Sequence, residues 1–337
     1  MTVLTLIALF LVSFHIYRQY WTNKQLAQIH FGTFDVGVFD QEGGDIFTVQ
    51  DTVIAIQRHK DKAQKTIICF PGFTEDACYF QQVYKDSEHE IIYMGNAGYH
   101  SPFSLKASKT LNWPVNPFEL GTIEHDAFWV GQVIESLASA RDIIIHGHSR
   151  GGAVALETGR QFPQFTKESV SLILEAAVVP QGTPAGPMAS KAAHIVAPYL
   201  LPLFYGMNRN ISLEKLAKLP IMRPSNPLKA KLIVSSFSTP KQYKTFVKNV
   251  KNLVLWQQNT GFNLYENFSN ITALIGARDD VLSCRTMIAS VKEGVKISSS
   301  MQMIQTQNTN HFITLEEPHY IYDALQDLPS KSRSAIN

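Results

Sequence analysis

The sequence predicts an α/β protein with a mostly parallel central sheet and helices on both faces. Short runs rich in Val, Ile and Leu alternate with segments of helical periodicity along most of the chain. This alternation favours a parallel sheet whose strands are buried on both sides. A glycine-rich turn also joins one apolar run, residues 143–145, directly to a helical segment, which is how strands and helices connect in such sheets.

The elements follow in order along the chain. The predicted strands are 47–49, 52–56, 66–70, 90–94, 143–145, 170–179, 271–275 and 301–305, with a turn at Gly43 and Gly44. Residues 76–86 and the segment in which Ile123, Ala127, Val130, Ile134 and Leu137 recur are predicted helices. The stretch 95–117, rich in Gly, Ser, Pro and Asn, is a predicted loop.

The turn after 143–145 reads Gly-His-Ser-Arg-Gly and has Ser149 at its centre. A serine between a strand and a helix is exposed above the sheet and can act as a nucleophile. Gly147 and Gly151 allow strand and helix to approach closely. The Arg150 N–H lies at the positive end of the helix and can donate to a developing oxyanion. The alternative is a serine that only caps the helix.

A nucleophilic serine needs a base, and a carboxylate that holds the base in one tautomer. Asp279 and Asp280 follow the strand at 271–275, and His311 follows the strand at 301–305. Open α/β sheets place their chemistry at the carboxyl ends of the strands. The alternatives are a solvated pair of aspartates and a surface histidine. His148, beside Ser149, is expected to line the pocket or to pack rather than to act as the base.

These motifs resemble the α/β-hydrolase superfamily. Residues 147–151 resemble its nucleophile elbow, 276–279 its G-x-x-D turn, and 311–318 its late histidine loop. The resemblance implies that Ser149 is the nucleophile, Asp279 the orienting acid and His311 the general base. Asp280 is the rival acid, but it does not fit the G-x-x-D spacing.

The resemblance also implies a second oxyanion donor after the strand at 66–70. There the chain reads Pro71-Gly72-Phe73, with proline where the family usually has histidine. Because the donor is a backbone group, the N–H of Phe73 is still expected to fill this role. The family further implies a hydrolase core at 30–179 and 263–330, and an inserted helical cap at 180–262, a segment rich in proline.

Composition excludes several classes of function. Of 337 residues, 45% are hydrophobic and 17% are charged, and 30 Lys and Arg nearly balance 28 Asp and Glu. We find no basic run typical of nucleic-acid binding, no P-loop and no dinucleotide fingerprint. The three cysteines do not suit a disulfide framework, and no Cys/His cluster has metal-binding spacing. We therefore expect no cofactor, no metal and no nucleic-acid partner.

The first residues form a separate segment. Within residues 1–22, the run from Thr2 to Tyr17 is almost continuously apolar, without a charged start or a small-residue cleavage site. Tyr17, Tyr20 and Trp21 suit a membrane interface. We interpret the segment as an uncleaved membrane anchor. Arg18 and Lys24 on its carboxyl side favour a cytoplasmic catalytic domain.

The leading functional hypothesis is a serine hydrolase of carboxylic esters, an esterase or lipase-like enzyme. Its substrate would be a small-molecule or lipid-like acyl ester. A thioesterase, amidase, acyltransferase or C–C hydrolase would use the same residues. A hypothesis of another class is a catalytically idle hydrolase fold that serves as a binding module, and a weaker one is a membrane-bound scaffold.

Overall fold

The structure is a computed structural model. It describes residues 2–27, 44–58, 63–73, 75–99, 101–103, 105–190, 192–193, 196, 200, 212–224, 226, 229 and 242–328. The strands are β1 (Gly44–Val49), β2 (Thr52–Gln57), β3 (Lys65–Phe70), β4 (Glu90–Met94), β5 (Lys109–Thr110), β6 (Asp142–His148), β7 (Val170–Glu175), β8 (Asn270–Ile275) and β9 (Met301–Gln305). The helices are α1 (Val3–Ala27), α2 (Gln81–Tyr84), α3 (Ile123–Ser136), α4 (Arg150–Gln161), α5 (Pro163–Ser169), α6 (Leu213–Ala217), α7 (Gln242–Asn259), α8 (Cys284–Ile297), α9 (Ile313–Glu316) and α10 (His319–Asp327).

The strands form one nine-stranded sheet in the order β5-β1-β2-β4-β3-β6-β7-β8-β9. Strand β2 is antiparallel to both of its neighbours, and every other pairing in the sheet is parallel. The predicted fold class, a mostly parallel sheet in an α/β protein, is therefore confirmed. The carboxyl ends of β3, β6, β7, β8 and β9 consequently meet at one edge of the sheet.

Helices cover both faces of this sheet because successive strand residues point to opposite sides. In β6, Ile143 and Ile145 belong to the apolar cluster shared with α3, α4 and α8. Ile144, between them, belongs to the cluster shared with α2, α9 and α10. The central strands are thus buried on both faces, as their unbroken Ile and Val runs indicate.

Some predicted boundaries were wrong. Gly44 begins β1, and the chain turns between β1 and β2 at Gln50 and Asp51, where Gln50 has a φ of 47°. The strand predicted at 170–179 ends at Glu175, since Ala176 has a φ of 40° and cannot continue an extended strand. The predicted loop 95–117 contains the short strand β5, which pairs with β1.

Much of the predicted cap, 180–262, lies outside the described residues. Its last part, α7, packs on the core helices. Asn252 Oδ1 accepts the N–H of Ile123 at 2.8 Å, and Trp256 Nε1 donates to Glu157 Oε2 at 3.1 Å. These bonds join α7 to the start of α3 and to α4. A cap with the boundaries 180–262 stays a prediction.

Helix α1 contains an apolar window, Val3–Tyr20, with a mean hydropathy of 1.4. None of this window is buried. By length and composition it can cross a membrane. A signal sequence near an amino terminus has the same length and composition. The finding therefore supports a membrane-inserting segment, and an uncleaved anchor stays a prediction.

Candidate active site

Ser149 lies between the end of β6 and the start of α4. Its backbone has a φ of 50° and a ψ of −116°, a region that L residues seldom occupy. Three hydrogen bonds hold the backbone of Ser149. Its N–H donates to Glu175 O at 2.9 Å, and its carbonyl oxygen accepts from Val178 N at 2.8 Å and from Gly152 N at 3.0 Å. The strand, sharp turn and helix predicted around Ser149 are therefore present.

The glycines flanking Ser149 allow close backbone contacts. A Cβ on Gly147 would lie 2.5 Å from the carbonyl oxygen of Gly151. A Cβ on Gly151 would lie 2.0 Å from the carbonyl oxygen of Phe70, the last residue of β3. Because no side chain fits at either distance, β6, α4 and β3 can meet beneath Ser149 only with glycine at both positions.

His311 and Asp279 form a buried pair at the same edge of the sheet. His311 Nδ1 lies 2.9 Å from Asp279 Oδ2, and the two residues are 2% and 7% exposed. The other carboxylate oxygen of Asp279 accepts the N–H groups of Val281 and Leu282, each at 2.8 Å. Burial raises the pKa of Asp279, but the charge and hydrogen bond of His311 and these N–H groups outweigh it and lower the pKa.

Asp280, the rival acid, contacts a different residue. Its N–H donates to Asn310 Oδ1 at 2.9 Å, and its Oδ2 accepts from Asn310 Nδ2 at 2.8 Å. Asn310 Oδ1 also accepts the N–H of His311 at 2.8 Å. Asp280 thus orders the chain before His311, whereas Asp279 binds the imidazole itself.

The loop of His311 lies against the serine turn. The rings of His148 and His311 have centroids 4.9 Å apart, and Ser149 follows His148 directly. Ser149 is 5% exposed. Among the described residues its hydroxyl has no hydrogen-bonding partner. Hydrogen bonds of this kind often tighten only when substrate binds, so an open hydroxyl does not argue against a nucleophile.

The proposed oxyanion donors follow two strands: Phe73 lies in the loop after β3, and Arg150 is the first residue of α4. Phe73 is half-buried and follows Gly72, whose N–H donates to Glu75 Oε2 at 2.9 Å. The Arg150 side chain is fully buried. It donates to Asp126 Oδ2 at 2.6 Å, to Thr122 O at 3.0 Å and to Asn96 Oδ1. Because its guanidinium is engaged in the core, Arg150 can offer a ligand only its backbone N–H.

No sequence pattern indicates that Asp126 is the partner of Arg150. Burial raises the pKa of Asp126, but the guanidinium charge of Arg150 and a hydrogen bond from His125 outweigh it and lower the pKa. Asp126 lies in the first turn of α3, a position where acidic residues are common on any helix. Its role depends on a long-range contact that no local pattern indicates.

His148 was predicted to line the pocket or to pack, and the structure buries it completely. Its Nδ1 lies 2.7 Å from Glu75 Oε2, and its Nε2 lies 3.0 Å from the carbonyl oxygen of His311. Burial lowers the pKa of His148, but the Glu75 carboxylate outweighs this effect and raises the pKa to about 9. Sequence reasoning missed Glu75 altogether.

Glu175, the last residue of β7, is another fully buried carboxylate next to the site. It accepts hydrogen bonds from Tyr79 Oη at 2.6 Å, from the Thr314 N–H at 2.5 Å and from Thr314 Oγ1 at 2.8 Å, and it pairs with His146 Nε2 at 2.8 Å. Burial raises the pKa of Glu175, but the bond to His146 and the nearby charge of His148 outweigh it, so the pKa falls to about 2.

The described residues contain no group of three or more His, Cys, Asp and Glu side chains placed to hold a metal ion. Within the same residues, Cys69, Cys78 and Cys284 are free thiols. The charged and polar side chains around Ser149 form pairs instead: His311 with Asp279, His148 with Glu75, and Arg150 with Asp126. This arrangement suits proton transfer and charge stabilisation.

Neither the known protein families nor the curated proteins contain a match to this sequence. Solved structures do match. An esterase from Exiguobacterium antarcticum superposes with a TM-score of 0.60 at 15% identity, over 86% of this chain and 100% of that one. A putative aryl esterase from Burkholderia cenocepacia gives 0.57 at 16% identity, over 85% and 97%.

Structures named for other hydrolytic activities match equally well. The N-formylmaleamic acid deformylase from Pseudomonas putida has a TM-score of 0.57 at 12% identity, over 85% of this chain and 100% of that one. At such identities the likeness establishes the fold and not the substrate. The order of the strands, the turn at Ser149 and these superpositions agree, and the chain has the fold of the α/β-hydrolase superfamily.

Proposed function

We propose that the protein is a serine hydrolase that cleaves carboxylic esters, with Ser149 as nucleophile, His311 as general base and Asp279 as orienting acid. One observation carries the proposal. His311 Nδ1 binds the buried carboxylate of Asp279 at 2.9 Å, in a loop that lies against the strained turn of Ser149. The three residues follow the ends of β6, β8 and β9, in the chain order typical of the fold.

The chemistry follows from this arrangement. Asp279 accepts the Nδ1–H of His311, so Nε2 is left free to take the proton of the Ser149 hydroxyl. The serine oxygen attacks the ester carbonyl, and the N–H groups of Phe73 and Arg150 stabilise the oxyanion. His311 then protonates the leaving alcohol. A water, activated by the same histidine, releases the acid and restores Ser149.

Two considerations support an ester as substrate. The solved structures that resemble this chain include proteins named as esterases, a putative lipase and a lactonase. In addition, Ser149 stands where a carboxylate nucleophile would be needed for dehalogenase or epoxide-hydrolase chemistry. A lipid-like acyl chain is the substrate we favour, because α1 is long and apolar enough to hold the protein at a membrane.

The test is hydrolysis of p-nitrophenyl esters from acetyl to palmitoyl by the full chain in detergent, with Ser149→Ala as control. We expect turnover that disappears in the variant and a preference for the longer chains. A fluorophosphonate should label wild-type Ser149 stoichiometrically and leave the variant unlabelled. Absence of both turnover and labelling would refute the proposal and favour an idle fold that binds a partner.

A further inference from the structure

We propose that the imidazolium of His148, paired with Glu75, is a positioning device that joins the two loops on either side of Ser149. The oxyanion loop (71–73) carries the proposed donor Phe73, and the histidine loop (310–312) carries the proposed base. The inference rests on the hydrolase function proposed above and assigns a role to two residues that this chemistry does not itself use.

The geometry indicates where the protons of His148 lie. His148 Nε2 is 3.0 Å from the carbonyl oxygen of His311, and a carbonyl oxygen can only accept, so Nε2 carries a proton. His148 Nδ1 is 2.7 Å from Glu75 Oε2, which also accepts the N–H of Gly72 at 2.9 Å. An ionised carboxylate oxygen that accepts from Gly72 can only accept from His148 too, and Nδ1 then carries a proton as well. The contacts therefore favour a doubly protonated His148.

The groups around the ring favour this charged form. Besides Glu75, the carboxylate of Glu175 on β7 acts on His148, and Tyr79 stacks on it with ring centroids 4.2 Å apart. The ring of His311 lies 4.9 Å away. Burial opposes the charge, but the carboxylates outweigh it and hold the pKa of His148 at about 9. The imidazolium therefore persists through neutral pH.

The pair fixes backbone on both sides of the nucleophile. On one side, Glu75 holds the peptide N–H of Gly72, and its carboxyl packs so closely that a Cβ on Gly72 would lie 2.8 Å from Oε2. On the other side, His148 holds the carbonyl of His311. Donors that stabilise a transition state lose much of their effect when misplaced by about 1 Å. Loosening this link should therefore slow the chemical step more than it weakens substrate binding.

The first test compares His148→Gln with the matched variant His146→Gln. Both histidines are fully buried on β6 and pair with a glutamate, but within the described residues the hydrogen bonds of His146 go to Glu175 and Tyr84 rather than to either loop. We expect His148→Gln to lower kcat roughly 10- to 100-fold with KM changed less than about threefold. His146→Gln should lower kcat less than about threefold where it remains folded. Equal losses in kcat would overturn the proposal.

The second test observes the protons directly and does not depend on activity. Nitrogen-15 NMR of the histidine side chains in the full chain should show both ring nitrogens of His148 protonated at pH 7. Glu75→Gln keeps an acceptor and a donor but removes the charge, so one ring nitrogen should lose its proton. A wild-type His148 with a bare ring nitrogen at pH 7 would refute the imidazolium, including the case in which Glu75 holds the proton.

The two proposals fail in different ways. If wild-type Ser149 reacts with a fluorophosphonate and His148→Gln reacts at the same rate, the positioning role is refuted while the hydrolase stands. If the wild type neither reacts nor hydrolyses esters, the hydrolase is refuted, and with it the role of the pair in catalysis. The NMR result then still decides whether the ion pair joins the two loops.

Discussion

Asp279 and Asp280 are neighbours in the chain but bind different residues. Asp279 accepts from the imidazole of His311, whereas Asp280 pairs with the amide of Asn310. We predict that Asp279→Asn lowers kcat by about 10⁴-fold, because an amide favours the wrong tautomer of the histidine. Asp280→Asn retains an acceptor oxygen and should lower kcat less than about tenfold. Ester hydrolysis by the two purified variants measures the difference, and similar losses would overturn the assignment of the acid.

The contact beneath Ser149 predicts a second effect. Gly151→Ala places a Cβ 2.0 Å from the Phe70 carbonyl, which must move. We expect a loss of about 1–3 kcal/mol in the free energy of unfolding, typical of overpacking. Gly95→Ala is the matched control, since a Cβ there meets no atom within 4 Å, and it should change stability by less than about 0.5 kcal/mol. Urea titration of both variants measures these changes in the free energy of unfolding. A Gly151→Ala variant as stable as Gly95→Ala would contradict the close contact with Phe70.

The positions of the candidate site residues could be predicted where a motif carries its own geometry. Ser149 lies in the turn between β6 and α4 that its glycines indicate, and Asp279 and His311 lie after β8 and β9, whereas their roles stay predictions. Glu75, Asp126 and Glu175 were not found, because each partner lies far away in the chain. Glu175 and Thr314, for example, are 139 residues apart. Buried polar pairs follow no periodicity, so only the folded structure brings them into view.

Glu175 connects elements rather than single residues. From the end of β7 it binds His146 on β6 and the N–H of Thr314 in α9. Its pKa falls from 4.5 to about 2, so the native state gains stability above pH 4.5 and loses it as the pH falls towards 2. We predict that the free energy of unfolding falls more steeply over this range in wild type than in Glu175→Gln.

Urea unfolding at pH 5, 4 and 3, followed by tryptophan fluorescence, measures the two slopes. Other buried carboxylates, such as Asp126 and Asp279, titrate in both proteins and cancel in the comparison. Parallel slopes would show that Glu175 is not the acid-sensitive link. The variant's lower stability at pH 7 does not affect the result, because only the change with pH is compared.

Elements were predictable when they were long or fully apolar. The strands at 90–94 and 301–305 have the predicted bounds, and α3 begins at the predicted Ile123. Strand β5 was missed because it has two residues, Lys109 and Thr110, both exposed, and it exists only through pairing with β1. Helix α7 shows the same limit, because its contacts with α3 and α4 depend on tertiary structure.

At the scale of the whole molecule, the apolar helix α1 leads us to predict that the protein is bound to a membrane. We expect the full chain to sediment with membranes and to resist extraction by alkaline carbonate, because its apolar window can occupy the bilayer core. A chain lacking residues 1–27 is the control and should become extractable. Full-length protein with an intact amino terminus in the soluble fraction would refute the anchor.

The parallel order of the sheet has a consequence for how the protein folds. Asp279 and His311 are 32 residues apart, and Ser149 lies much further upstream, so the proposed site draws on β6, β8 and β9 together. Contacts between such distant segments form slowly, because long loops must close first. No early fragment can hold the three residues in place. After dilution from denaturant, enzymatic activity should therefore recover later than the helical circular dichroism signal. The recovery of activity then reports the last step of folding.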